Sequence, residues 1–106
     1  MSKARDKGSR VEREIVNLLV GAGIPAHRIP LSGAVKEYPG DVLCAGNIRL
    51  EIKARANGEG FAVLERWLGD NDALVLRRDR KTPIVAMTWD VFESLLVAYI
   101  RKDKET

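Results

Sequence analysis

Asp41-Val42-Leu43-Cys44-Ala45-Gly46-Asn47-Ile48-Arg49-Leu50-Glu51-Ile52-Lys53-Ala54 is the stretch that decides the reading of this chain. Two β-rich runs, Asp41 to Ala45 and Ile48 to Ala54, flank Gly46-Asn47, which is the pattern of a hairpin. The second run alternates. Ile48, Leu50 and Ile52 face one way; Arg49, Glu51 and Lys53 face the other. Glu51 and Lys53 therefore share a face. Asp41 opens the partner strand, and paired strands run about 5 Å apart, so the hairpin carries Asp41 close to Glu51. Two carboxylates converging at a strand end offer hard oxygens suited to Mg²⁺ or Mn²⁺. Lys53 is placed to orient an attacking water or to offset charge building on a phosphate. The plainer alternative makes Asp41 a turn residue and Glu51–Lys53 an exposed ion pair worth roughly 0–1 kcal/mol.

Working outward, Pro30 to Gly40 reads as a loop and Ala26 to Ile29 as a short strand. Before them, Val11, Ile15, Leu18, Leu19 and Ala22 recur at helical spacing. Ser9 is the expected N-cap of that helix, and Gly21, Gly23 and Pro25 end it. Downstream, Asn57-Gly58-Glu59-Gly60 is a loop and Phe61 to Leu68 a helix. Ala73 to Leu76 and Ile84 to Met87 read as strands joined by a basic turn through Pro83. Asp90 to Ile100 is an amphipathic helix, with Asp90 as N-cap and Glu93 at the capping-box position. The order is αβββαββα, and a mixed sheet flanked by helices is the architecture that fits it.

The first helix supplies an independent test of the site. At about 100° per residue, the apolar stripe centres near Ile15, with Glu12 roughly 60° from it and Glu14 roughly 100° away on the other side. Glu12 thus stands at the edge of the buried face, where a carboxylate can look toward the sheet. Arg13 and Glu14 are expected in solvent. A charge favourable to the first helical turn is the competing role for Glu12.

Composition bounds the rest. The chain has 106 residues, enough for one domain over residues 1–106, with residues 1–8 a basic arm and 102–106 a polar tail. Hydrophobic residues are 45% and charged residues 31%, an ordinary globular balance. No apolar run approaches the ~20 residues of a membrane span, and no signal peptide is visible, so a cytoplasmic prokaryotic or viral protein is the default expectation. One cysteine, Cys44, and one histidine, His27, give a Cys/His zinc site or a disulfide little to build on. Cys44 reads as a small core residue and His27 as a strand or loop residue with no catalytic part.

Here the pieces join. Lys7-Gly8-Ser9-Arg10-Val11-Glu12-Arg13-Glu14-Ile15 resembles the opening helix of archaeal-type Holliday junction resolvases, in which K-G-x-x-x-E-R-E-L is usual. Leu31-Ser32-Gly33 is similar to their serine- and glycine-containing loop. Pro39-Gly40-Asp41-Val42 followed by Leu50-Glu51-Ile52-Lys53 resembles the PD-(D/E)-x-K nuclease core. Gly40 separates Pro39 from Asp41, where many relatives place proline directly before the acid. The resemblance covers about residues 7–55.

It implies a restriction-endonuclease-like α/β fold and a Mg²⁺- or Mn²⁺-dependent endonuclease that works as a homodimer on branched DNA. The reaction would be hydrolysis that leaves a 5′-phosphate. Glu12 would be a metal or outer-shell carboxylate, Asp41 the core acid, and Glu51 and Lys53 the E-x-K pair. Ile52 would lend its backbone carbonyl to the metal, and Ser32 would contact the scissile phosphate.

Net charge is +3, unevenly spread. Lys3, Arg5, Lys7, Arg10 and Arg13 crowd the first turns and are expected to grip backbone phosphates, with Arg55 at the site edge. Arg77, Arg78, Arg80 and Lys81 form a second cluster, for a distant DNA arm or simply a solvated hairpin turn. No stacking platform for single strands is evident. Phe61 and Trp67 read as core, with a dimer face as the functional alternative. Two rivals stay open beside the resolvase: a nuclease of the same fold acting on ordinary duplex, and a non-catalytic basic nucleic-acid-binding module.

Overall fold

The computed structural model describes residues 3–29 and 41–105. The expected loop from Pro30 to Gly40, with Ser32, Gly33 and Pro39, lies outside the described residues. The elements are α1 (Lys3–Gly21), β1 (Ala26–Arg28), β2 (Val42–Cys44), β3 (Ile48–Leu50), α2 (Phe61–Leu68), β4 (Ala73–Leu76), β5 (Ile84–Met87) and α3 (Trp89–Glu105). This is the expected order, and it agrees with a restriction-endonuclease-like α/β architecture. The strands pair as two antiparallel sheets, β1-β2-β3 and β4-β5, where one mixed sheet was expected. The β2–β3 and β4–β5 connections are short, and short connections give antiparallel pairs; β1 also lies antiparallel to β2. Internal contacts divide the chain into two compact units, Met1–Ala54 with Leu96–Thr106, and Arg55–Leu95.

In the first unit, α1 packs on β1 and β2. Leu19, Ile24, Ile29, Val42, Cys44 and Leu96 are buried there. Burial pushes the Cys44 thiol up from its ordinary value, as befits a core residue. Helix α1 begins at Lys3, so Ser9 is not its N-cap, and residues 3–8 are helical where a basic arm was expected. Lysine, alanine and arginine are strong helix formers, and they carry the helix through Gly8. Its inward stripe runs through half-buried Glu12, Ile15 and Val16 to buried Leu19, while Leu18 is 46% exposed. The far end closes as expected. Gly23 takes φ +85°, its N–H donates to Val20 C=O (3.0 Å), and the Ile24 N–H donates to Leu19 C=O (2.9 Å). That is a Schellman closure, with buried Leu19 and Ile24 as its apolar pair.

The hairpin register pairs Val42 with Leu50 and Cys44 with Ile48. The turn is thus Ala45-Gly46-Asn47, with Ala45 and Gly46 at positive φ. Asn47 Oδ1 accepts from the Tyr99 hydroxyl of α3 at 3.2 Å. Strand β3 stops at Leu50 and does not run on to Ala54. Its regular ladder ends where the Asp41 side chain replaces a backbone acceptor.

In the second unit, α2 packs on β4 and β5. The elements have the expected bounds, but α2 buries no residue completely. Phe61 is 36% and Trp67 55% exposed, which removes them from the core. An eight-residue helix on a two-stranded ribbon has too little apolar area to enclose them. Helix α3 starts at Trp89, because the Thr88 carbonyl accepts the first helical bond from the Phe92 N–H (3.2 Å). Asp90 therefore sits in the first turn, where its charge suits the helix dipole, and is not the N-cap. Glu93 accepts from the Trp89 indole N–H (2.9 Å), not through a capping box on Asp90. Helix α3 runs to Glu105, through most of the expected tail, on Arg101, Lys102 and Lys104, which favour helix. Among the described residues no helix is long and apolar enough to cross a membrane.

Two glycines, one inside α1 and one just past its end, should respond oppositely to alanine. A Cβ at Gly8 meets nothing within 4 Å and Gly8 is helical, so Gly8→Ala should stabilise by about 1 kcal/mol. Gly23 is held at φ +85°, so Gly23→Ala should cost roughly 1–2 kcal/mol. Thermal melts check both: the midpoint should rise by several degrees in the first variant and fall in the second.

Candidate active site

The end of the β2–β3 hairpin is built around one carboxylate. The Asp41 N–H donates to Leu50 C=O (2.7 Å), and its carbonyl accepts from the Ile29 N–H (2.9 Å). Asp41 therefore joins β1 to β3. Its Oδ2 accepts a bond from the Ile52 N–H at 2.7 Å. A backbone carbonyl would fill that role in a continuing ladder. With the carboxylate there instead, the chain from Glu51 to Lys53 leaves regular pairing but stays fastened to Asp41. The other oxygen, Oδ1, makes no hydrogen bond among the described residues.

Glu51 and Lys53 lie on either side of the fastened Ile52, and their side chains meet although the regular strand ends at Leu50. Lys53 Nζ stands 3.2 Å from Glu51 Oε2. Both side chains are more than half exposed, so the pair is screened by water and worth at most about 1 kcal/mol. Neither partner is committed to holding the fold.

Glu12 is held differently. Its side chain is only 13% exposed, and its Oε1 accepts from Arg28 Nε at 3.1 Å. Arg28 Nη2 donates to Ser9 Oγ at 3.3 Å. Arg28 thus reaches from β1 to two α1 residues about one turn apart and fixes the Glu12 carboxylate at a part-buried position, where an unpaired charge would be costly. Sequence reasoning missed Arg28. The signal lay in parity: Arg28 pairs across from Val42, a fully buried residue, so its side chain leaves the sheet on the face that α1 covers. An arginine on that face calls for an acid on the helix stripe, and Glu12 is that acid.

The structure thus joins Asp41 to Ile52 and Glu51 to Lys53, and gives Glu12 to Arg28. Among the described residues it gathers no cluster of three metal-ligating side chains. Parity explains this. Asp41 and Glu51 alternate with Val42 and Leu50, while Arg28 and Glu12 occupy the α1-facing side. The donors at the hairpin end are carboxylate and carbonyl oxygens. Such a set fits Mg²⁺ or Mn²⁺, which are held by one or two carboxylates and complete their shells with water.

The outward face of α1 is charged. Arg10 and Arg13 are exposed there and line, with Glu14, Asn17 and Leu18, a shallow groove of about 520 Å³. The α1 backbone carries Lys3, Arg5 and Lys7 one to two turns earlier on the same helix. Arg55 is exposed and belongs to the second unit. His27 is exposed on β1, away from the α1 face.

No curated protein and no solved structure matches this chain. A family model does. The archaeal Holliday junction resolvase (Hjc) model matches residues 3–66, from the first turn of α1 through the hairpin and into α2. That span is more than half of the chain and contains Glu12, Arg28, Asp41, Glu51 and Lys53. The chain belongs to the archaeal Holliday junction resolvase family.

Proposed function

We propose that this protein is a divalent-metal-dependent, structure-selective DNA endonuclease, a Holliday junction resolvase that hydrolyses phosphodiesters in paired strands of a four-way junction. The observation that carries this reading is the Asp41 carboxylate fastened to the Ile52 N–H at 2.7 Å. It sets two acids and an ammonium at one strand end in a chain of the resolvase family. A pure DNA binder gains nothing from acids beside a phosphate.

Asp41 and Glu51, with the Ile52 carbonyl, are the residues that would hold Mg²⁺ or Mn²⁺. The chemistry such an ion supplies is Lewis acidity toward the phosphodiester and a more acidic water. Lys53 rests on Glu51 and is free to turn its ammonium toward the phosphate, offsetting the charge that builds there. Glu12, oriented by Arg28, serves as an outer carboxylate on the helix side. Ser32 contacts the scissile phosphate. Lys3, Arg5, Lys7, Arg10, Arg13 and Arg55 grip flanking phosphates and bring affinity without sequence preference. The chain works as one nuclease domain in a cytoplasmic homodimer, one active site for each strand cut.

The test is a labelled immobile four-way junction beside a matched linear duplex, with Mg²⁺ or with EDTA. Paired symmetric cuts on the junction alone are expected, and EDTA should abolish them. Asp41→Asn keeps an acceptor for the Ile52 N–H, so it and Glu51→Ala should fold, bind the junction and lose cutting by at least about a hundredfold, the upper end of the roughly 10–100-fold that losing an outer-shell partner of a metal ligand costs. Junction binding without cutting in Mg²⁺ or Mn²⁺ would overturn the enzyme reading. Equal cutting of both substrates would overturn junction selectivity.

Salt reports the grip. Junction affinity should fall steeply with salt, by about 0.9 in log K per log salt for each phosphate neutralised, and Arg13→Gln should flatten that slope by about one unit. An affinity indifferent to salt would contradict the phosphate role of the α1 cations.

A further inference from the structure

The second compact unit holds a groove that the hydrolytic site does not use. Leu76 and Ile84 pair across the β4–β5 ribbon and so lie on one face of it. Together with Trp67 of α2 they line a cavity of about 630 Å³, within the range of small-ligand sites. Trp67 is 55% and Ile84 66% exposed, so the groove is open to solvent. Its rim is cationic: Arg77, Arg78 and Lys81 line the same cavity. All three are exposed, and none is in an ion pair among the described residues. The tight turn draws them together. The Lys81 N–H donates to Arg78 C=O (3.1 Å), and Arg80 takes φ +63°, an unusual conformation for a residue with a side chain.

These features select an occupant. The rim calls for an anion, and two guanidinium forks suit phosphate oxygens. The floor calls for an apolar or flat group, and Trp67, exposed where a core position was expected, offers an indole π-face to a base where no stacking platform was expected. A second copy of this face would bring like charges together, which disfavours self-association here. We propose that the groove takes an unpaired nucleotide of nucleic acid, its base stacked on Trp67 and its neighbouring phosphates on Arg77, Arg78 and Lys81. A base inside a duplex stack cannot reach the indole, so the groove distinguishes unpaired strand from paired. The choice of DNA as the source of that nucleotide rests on the endonuclease reading; the groove's chemistry does not.

The full chain is titrated with a fluorescently labelled dT decamer in EDTA at low salt, and binding is followed by anisotropy. Trp67→Leu keeps apolar volume but removes the π-face, and should weaken binding about tenfold. Trp67→Phe should retain most of it. An abasic decamer should bind the wild type no better than the dT decamer binds Trp67→Leu, and a duplex of equal length should not show the Trp67 dependence. Equal binding of the dT and abasic decamers, unchanged in Trp67→Leu, would overturn the proposal and leave a phosphate clamp alone. So would no decamer binding together with capture of an acidic amphipathic peptide, or a dimer, measured by sedimentation, that Trp67→Leu dissolves. Circular dichroism confirms that each variant is folded. Junction cutting by the same proteins separates the two readings. Decamer binding through Trp67 without any cutting sinks the endonuclease and keeps the groove; cutting with a Trp67-independent decamer does the reverse.

Discussion

A single hydrogen bond, from the Ile52 N–H to the Asp41 carboxylate, sets the geometry on which the candidate site depends. Asp41 spends its backbone on both neighbours, accepting from Ile29 and donating to Leu50. Its side chain then does for Ile52 what a third backbone carbonyl would otherwise do. A buried or half-buried N–H left unmatched costs on the order of 1–3 kcal/mol, so the acid has a structural task of its own. Because one oxygen ties down the chain, the position of the other is fixed by covalent geometry. The E-x-K segment is delivered to the acid by the same contact. Glu51 and Lys53, by contrast, are exposed and only loosely paired, which leaves them able to exchange partners.

The helix side follows a related logic. Leu19 and Ile24 close α1 on itself and anchor it against β1 and β2. That docking buries Glu12 to 13% exposure, a position a lone carboxylate would not tolerate. Arg28 resolves the conflict from β1 and is in turn steadied by Ser9. The outward face of the same helix keeps Arg10 and Arg13 in solvent. One amphipathic helix thus separates a positioned acid from an exposed cationic surface.

Much of this was legible in the residues. Period-two alternation from Ile48 to Lys53 placed Glu51 beside Lys53, and the register about Gly46 brought Asp41 opposite them. Gly23 and Pro25 marked the end of α1, and α2, β4 and β5 have the bounds their patterns gave. The misreadings share a cause: local signals were outbid by tertiary ones. Ser9 looked like a cap, but strong helix formers preceded it and Arg28 claimed its hydroxyl. Asp90 and Glu93 looked like a capping box, but the Trp89 indole took Glu93. Strand β3 looked longer because nothing local announces that a side chain will end its ladder. Trp67 looked like core because aromatic residues usually are; the small ribbon beneath it cannot enclose it. Arg28 was invisible without knowing which face of β1 the helix covers.

The proposed divalent-ion site is the hairpin end fastened by Asp41 and Ile52. Its most direct test is paramagnetic broadening of amide resonances by substoichiometric Mn²⁺ in the nitrogen-15-labelled protein. The account predicts that Asp41, Glu51, Ile52 and Lys53 broaden first, and that the effect is lost in Asp41→Asn while the rest of the spectrum is kept. Broadening centred instead on other exposed acids such as Asp70, Asp72 or Asp79, with the hairpin end untouched, would contradict it.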